Sequence, residues 1–193
     1  RRANGIAWQL RARGVGAEDL VAVCLPRSPD AVAAILGVLK SGAAFLPLDA
    51  GLPPRRLAGM VAGAGVKLLI AGPAFARDWP GPLSATLLDD LAGGSADPPP
   101  NTAAATNAAY AIFTSGSTGK PKAILVTHAS LVNYVLAARR IFDLSDTDRR
   151  LQFASPGSDV FVAEVFNYLS CGATLVFGPD RRQSSIQEFV RLL

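Results

Sequence analysis

Between Leu20 and Ala71 the apolar residues switch twice from strand-like to helical spacing and back, and a Gly, a Pro or a small capping residue stands near each switch. Leu20 to Leu25 (LVAVCL) is short, apolar and rich in valine, which fits a buried strand. Ser28 followed by Pro29 then opens a helical stripe that runs to Lys40 and stops at Gly42: a capping hydroxyl, a proline in the first turn and a terminating glycine. Ala44 to Leu48 (AFLPL) reads as a second strand, Pro54 to Ala64 as a helix closed by Gly65, and Lys67 to Ala71 (KLLIA) as a third strand. Strands joined by single helices in this way build a parallel sheet with helical crossovers. The predicted class is therefore α/β, with parallel-rich sheets and flanking helices.

An earlier helical stripe, Ala3 to Arg13, ends at Gly14, and the alternation resumes after a break. From 93 to 107 the composition turns to Gly, Ser, Asp, Thr and the run Pro98-Pro99-Pro100, too polar and stiff to join a core, which marks an approximate internal lobe boundary. Beyond it the pattern predicts strands at Ala108 to Thr114, Ala123 to Val126, Leu151 to Ala154 and Ala173 to Phe177. Helices are predicted at Ser130 to Phe142, after Asp159 and from Ile186, where Ser185 and Glu188 have capping-box spacing.

Half of the 193 residues are hydrophobic, enough for a real core, yet stretches without polar side chains, such as Ala31 to Leu39, run to about ten residues at most. That is well short of the ~20 residues a membrane-spanning helix needs, so no membrane association is expected. The opening Arg1-Arg2-Ala3-Asn4 enters a helical pattern without an initiator Met, so the chain reads as an excised piece. Nineteen Lys plus Arg against fifteen Asp plus Glu leave a charge of +4 with no basic block, which argues against a nucleic-acid partner. Cys24 and Cys171 form no CxxC pair and read as buried thiols. With one histidine, His128, a histidine-based metal cluster is excluded.

Chemistry concentrates in Thr114 to Lys122 (TSGSTGKPK), with four hydroxyls, two glycines and two lysines in nine residues. Gly116 and Gly119 let successive backbone N–H groups converge on an anion, Thr114, Ser115, Ser117 and Thr118 add hydroxyl donors, and Lys120 and Lys122 supply charge. A phosphate ligand suits this better than a plain polar hairpin turn does. The nucleoside-triphosphatase loop does not fit: with its Gly-Lys on Gly119-Lys120, its first glycine falls on Thr114 and its magnesium-binding hydroxyl on Pro121. Dinucleotide fingerprints fail as well, since Gly14-Val15-Gly16 and Gly63-Ala64-Gly65 would need further glycines at Asp19 and Leu68.

The segment AYAIFTSGSTGKPKAILVTHASLVN, Ala109 to Asn133, resembles the phosphate-loop motif of the adenylate-forming enzymes. LKSGAAFLPLDAGLPPRRL, Leu39 to Leu57, and LQFASPGSDVFVAEVFNYLSCGATLVF, Leu151 to Phe177, are similar to two further signatures of one branch, the amino-acid adenylation domains of nonribosomal peptide synthetases. The resemblance implies that residues 1–193 are an incomplete adenylation domain, part of the large N-terminal domain of that fold. It implies a cytoplasmic ligase that joins an amino acid to ATP with Mg2+, giving aminoacyl-AMP and pyrophosphate. The aminoacyl group then passes to the phosphopantetheine of a carrier protein, in an assembly line that also holds condensation domains. An acyl- or aryl-CoA synthetase of the same superfamily, or a non-catalytic remnant, is the alternative.

Residue by residue, the resemblance makes Thr114, Ser115, Gly116, Ser117, Thr118, Gly119, Lys120 and Lys122 the ATP phosphate site. It makes Asp159 the carboxylate that pairs with the substrate ammonium, with Val160 and Ala163 lining the pocket beside it. Without the motif, Asp159 would read as a helix N-cap and Val160 and Ala163 as core. The family's catalytic lysine, its later nucleotide and magnesium motifs and its first signature have no counterpart here, so the isolated chain is expected to be inactive. Ala123 stands where the family usually has glycine, and Ser158 where it commonly has an aromatic residue. Asp49 reads as a turn former, His128 as a capping or packing residue, and Glu164 receives no role.

Overall fold

The computed structural model describes residues 1–114 and 122–178. Helix α1 (Arg2–Ala12) is followed by β1 (Leu20–Cys24), α2 (Pro29–Ser41), β2 (Ala44–Pro47), α3 (Pro54–Gly63) and β3 (Leu68–Ala71). Next come α4 (Pro73–Arg77), β4 (Ala85–Leu87), a 3₁₀ turn (Leu88–Leu91), β5 (Ala108–Thr114) and β6 (Lys122–Thr127). The chain continues through α5 (His128–Ile141), β7 (Arg149–Gln152), α6 (Asp159–Ser170) and β8 (Thr174–Phe177). Among the described residues the strands form a six-stranded sheet in the order β4-β3-β1-β2-β5-β6 and a two-stranded sheet of β7 and β8. Every pairing is parallel except β5 with β6, an antiparallel hairpin.

Period-two alternation in β1 divides the core. Val21 and Val23 face α1 and α2 with Ile6, Leu10, Ile35 and Val38, while Leu20, Ala22 and Cys24 face α3 with Leu57 and Val61. Burying each of those larger side chains contributes roughly 1.5–3 kcal/mol, which is why so short a strand can anchor the sheet. Helix α2 starts as its sequence dictates: Ser28 Oγ accepts from the Ala31 N–H at 3.2 Å, Pro29 takes the first turn, and Gly42 ends the helix at φ +99°. Gly37 lets α1 approach closely, since a Cβ there would stand 2.5 Å from Ile6 Cγ2.

The two sides of residues 93–107 share one sheet, because Phe45 of β2 pairs with Tyr110 of β5. The polar connection lies along α1. Asn4 Nδ2 donates to the Ala96 carbonyl at 2.6 Å, Trp8 Nε1 to Asp97 at 3.0 Å and an Arg11 guanidinium nitrogen to Pro100 at 2.6 Å.

Three elements of the 73–91 excursion, α4, β4 and the 3₁₀ turn, have no counterpart in the pattern reading. They are short and only partly buried, so no apolar period develops. Helix α5 begins at His128 rather than Ser130, because Thr127 Oγ1 caps it by accepting from the Ser130 N–H at 3.2 Å. The helix expected from Ile186 lies outside the described residues. Cys24 is buried as expected, whereas Cys171 is only half-buried. Among the described residues no helix is long and apolar enough to cross a membrane.

Candidate functional site

Strand β5 runs parallel to β2, so Thr114 and Asp49 emerge at the same carboxyl edge of the large sheet. In open α/β sheets that edge is where ligands bind. Thr114 pairs with Lys122 across the hairpin, and both are exposed, which places a hydroxyl and an ammonium at the two ends of the 115–121 connection. Ser115, Gly116, Ser117, Thr118, Gly119 and Lys120 lie outside the described residues. Ala123 follows Lys122 in β6 and pairs with Phe113, so alanine in the family's glycine position continues the strand.

The second part of the site is the entry to α6. Ser158, not Asp159, is the N-cap: its Oγ accepts from the Phe161 N–H at 3.3 Å and donates to the Ser155 carbonyl at 2.8 Å. The serine that replaces an aromatic residue here thus takes over the helix start. Asp159 occupies the first helical position, exposed, with Oδ1 accepting from the Val160 N–H at 2.8 Å. The capping alternative for Asp159 is therefore overturned. Val160 is 52% exposed, which removes the core alternative for it, and Ala163 is half-buried. Beneath α6 the rings of Tyr110 and Phe166 stack on Phe45, with centroids 5.5 and 5.8 Å away. Burial, then the charges of Asp159 and Tyr134, push the Tyr110 phenol above the usual tyrosine range.

Asp49 joins the two parts. Its Oδ1 accepts from the Gly51 N–H at 2.9 Å, the turn expected of it, and its Oδ2 accepts from Ser155 Oγ at 2.8 Å. A cavity of about 330 Å³ lies at this junction, lined by Asp49, Phe113, Thr114, Ser155, Gly157 and Ser158. It reaches from the root of the 115–121 connection to one residue short of Asp159. A second cavity of about 590 Å³ shares Asp49 and Ser155 and extends to Arg27, Phe153 and Gly178.

Sequence reasoning missed Glu164. It is 4% exposed, and its carboxylate accepts from the Phe153 N–H at 3.0 Å, the Ala154 N–H at 2.9 Å, Gln152 Nε2 at 3.0 Å and an Arg150 guanidinium nitrogen at 3.1 Å. The available signal was its place on the same helical face as the apolar Phe161 and Val165, where an unpaired charge would be costly. His128 packs as expected: its main-chain N–H donates to the Asn107 carbonyl at 3.0 Å, and burial of the side chain lowers the imidazole pKa. Among the described residues no three His, Cys, Asp or Glu side chains cluster to hold a metal ion.

The family described as AMP-binding enzyme matches residues 1–193. The chain belongs to the AMP-binding enzyme family. Among curated relatives, this AMP-binding chain is 42% identical over 191 residues to a probable non-canonical nonribosomal peptide synthetase, CymA, of Salinispora arenicola, covering 99% of the chain and 2% of that protein. Among solved structures, it matches the nonribosomal peptide synthetase FmoA3 in its α-methyl-L-serine-AMP bound form at TM-score 0.90 and 32% identity, over 99% of the chain and 22% of FmoA3. It also matches the N-terminal subdomain of Klebsiella oxytoca NpsA in complex with 3-hydroxyanthranilyl-AMSN at TM-score 0.85 and 26% identity, over 98% of the chain and 48% of the NpsA chain. The α/β fold of this AMP-binding chain is thus that of the N-terminal part of adenylation domains. The chain spans a small part of the length of the curated relatives it matches.

Proposed function

We propose that this chain supplies the phosphate loop and one wall of the amino-acid pocket of an adenylation domain in a nonribosomal peptide synthetase. The observation that carries the reading is Asp159: an exposed carboxylate at the first position of α6, released from capping by Ser158, near the carboxyl edge from which the Thr114 to Lys122 loop leaves the sheet. Likeness to a synthetase at 42% identity over nearly the whole chain supports the same branch.

ATP supplies the α-phosphorus that the substrate carboxylate attacks, with pyrophosphate leaving. The chain's residues hold and orient. Thr114 and Lys122, with Ser115 to Lys120 between them, bind the polyphosphate through hydroxyl, backbone and ammonium donors. Asp159 accepts a charge-assisted hydrogen bond from the substrate α-ammonium, and Val160 and Ala163 line the side-chain pocket next to it. Mg2+, when bound, would help to neutralise the charge that builds on the departing pyrophosphate. A carrier protein with its phosphopantetheine and the condensation domains of the same cytoplasmic assembly line are the partners, and residues 93–107 are the connection between two parts of the domain that share one sheet.

The test is amino-acid-dependent ATP–pyrophosphate exchange by the complete domain. Asp159→Ala and Asp159→Asn are each expected to raise the KM of the cognate amino acid by one to two orders of magnitude, equivalent to roughly 1.5–3 kcal/mol for a bond to a charged group, with the ATP KM nearly unchanged. Because Ser158 holds the cap and Asn can still accept the Val160 N–H, the Asn variant removes the charge with little structural change. Full exchange activity in both variants would sink the assignment and favour a superfamily member that activates carboxylic acids without an amino group.

A further inference from the structure

We propose that Glu164 is a positioning residue for amino-acid binding: by gripping the chain between β7 and α6, it fixes where the Asp159 carboxylate stands. The inference rests on the ammonium-binding role of Asp159 given above. It starts from an oddity of placement. A carboxylate at 4% exposure in the middle of α6 carries a desolvation cost, and buried ion pairs are often replaceable by apolar residues of similar volume without loss. What the carboxylate does is satisfy one stretch of backbone. Two of its four donors are the main-chain N–H groups of Phe153 and Ala154, just beyond the last residue of β7.

That stretch is fastened from three sides. Arg27, beyond the end of β1, donates to the carbonyls of Gln152 at 3.0 Å and Phe153 at 3.2 Å. Gln152 Nε2 donates to both the Ala154 carbonyl, at 2.9 Å, and Glu164. Ser155 Oγ donates to Asp49 at the end of β2, and the Ser155 carbonyl accepts from both the N–H and the Oγ of Ser158, at 3.0 and 2.8 Å. From Gln152 to Ser158 the chain is therefore tied to the large sheet through Arg27 and Asp49 and to α6 through Glu164, and Asp159 is the next residue. Such multiple fastening of a segment that has no sheet partner among the described residues matches a need for precise placement. A displacement of about 1 Å at a reacting centre costs as much as ~100-fold in rate.

The experiment compares Glu164→Gln, Asp159→Ala and the double variant in the complete domain, by pyrophosphate exchange with amino acid and ATP varied separately. Glutamine has the same shape but turns one acceptor into a donor facing donors. Glu164→Gln is expected to raise the amino-acid KM about tenfold while the ATP KM stays within about twofold, and to add less than about twofold once Asp159 is alanine, because the two act as one unit. A defect of equal size in both backgrounds, a rise in both KM values together, or no change in either overturns the positioning role alone. An unaffected Asp159→Ala enzyme overturns the Asp159 assignment itself, and the positioning role with it. Should Glu164→Gln fail to fold, Ser155→Ala, which cuts the fastening to Asp49, must show the same selective and non-additive pattern, and an additive or unselective effect counts against the proposal.

Discussion

Asp159 and Glu164 sit five residues apart in one helix, yet they are opposites in environment, and that contrast defines their roles. Asp159 is exposed and bonds to the N–H of the adjoining Val160, so it can serve a ligand; Glu164 is buried and saturated by four donors, so it serves the protein. Lys122, exposed at the hairpin, belongs with the first kind. Replacing Lys120 and Lys122 by alanine is expected to raise the ATP KM or lower turnover in exchange, at roughly 1.5–3 kcal/mol for each lost charge-assisted contact, and unchanged kinetics would remove the phosphate assignment. The two cysteines differ in a similar way. Burial, with the nearby charge of Asp49, pushes the Cys24 thiol up to about 12, so it stays protonated and shielded. Iodoacetamide at pH 8 should label Cys171 and leave Cys24 unmodified in the folded chain; equal labelling of both would show that the β1 core is open.

At the level of elements, strong local signals carried the reading and short or long-range features escaped it. Helix α2 was legible because cap, proline, apolar stripe and glycine agree, and the same holds for β1 to β3, whose short apolar runs between turn signals leave little choice of structure. Loss of the cap in Ser28→Ala should lower stability by about 1 kcal/mol, seen as a shift of the urea midpoint. Strand β4 and helix α4 were not legible, because three and five residues give no period to detect. Glu164 was missed for another reason: its partners are main-chain groups ten and eleven residues away, which no spacing rule announces. The entry to β1 carries a pH signature. Burial of Asp19 raises its pKa, but hydrogen bonds from Lys67 and the Gly16 N–H, with the Lys67 charge, pull it below the ordinary carboxylate value. The folded state thus holds this proton less tightly than the unfolded one, so its contribution is present above the unfolded pKa and lost as the pH falls through the folded one. Asp19→Asn should flatten the acid limb of the stability curve, and an unchanged limb would mean the Lys67 pair carries no folding energy.

Over the whole molecule, the apolar surface is uneven. Ile124 and Leu125 on the edge strand β6 are 50% and 60% exposed, and Val132, Leu136 and Phe142 of α5 and its end are likewise open. Edge strands with apolar side chains are prone to pair with other chains, so residues 1–193 in isolation are expected to self-associate, and Ile124→Lys with Leu125→Glu should shift the protein toward monomer in sedimentation velocity. Persistent aggregation of that variant would locate the sticky surface elsewhere. In the proposed reading one fold serves both parts of the substrate: β5 and β6 flank the loop of hydroxyls and lysines, the β7 to α6 connection leads into Asp159, and Asp49 ties that connection to the sheet edge from which the loop leaves. The central claim, that these two parts meet one aminoacyl adenylate, is tested most directly by a crystal structure of the complete domain with a non-hydrolysable aminoacyl-adenylate analogue. The account predicts an Asp159 carboxylate oxygen at about 2.7–3.2 Å from the α-ammonium nitrogen, whereas an ammonium bound elsewhere, with Asp159 facing solvent, would contradict it.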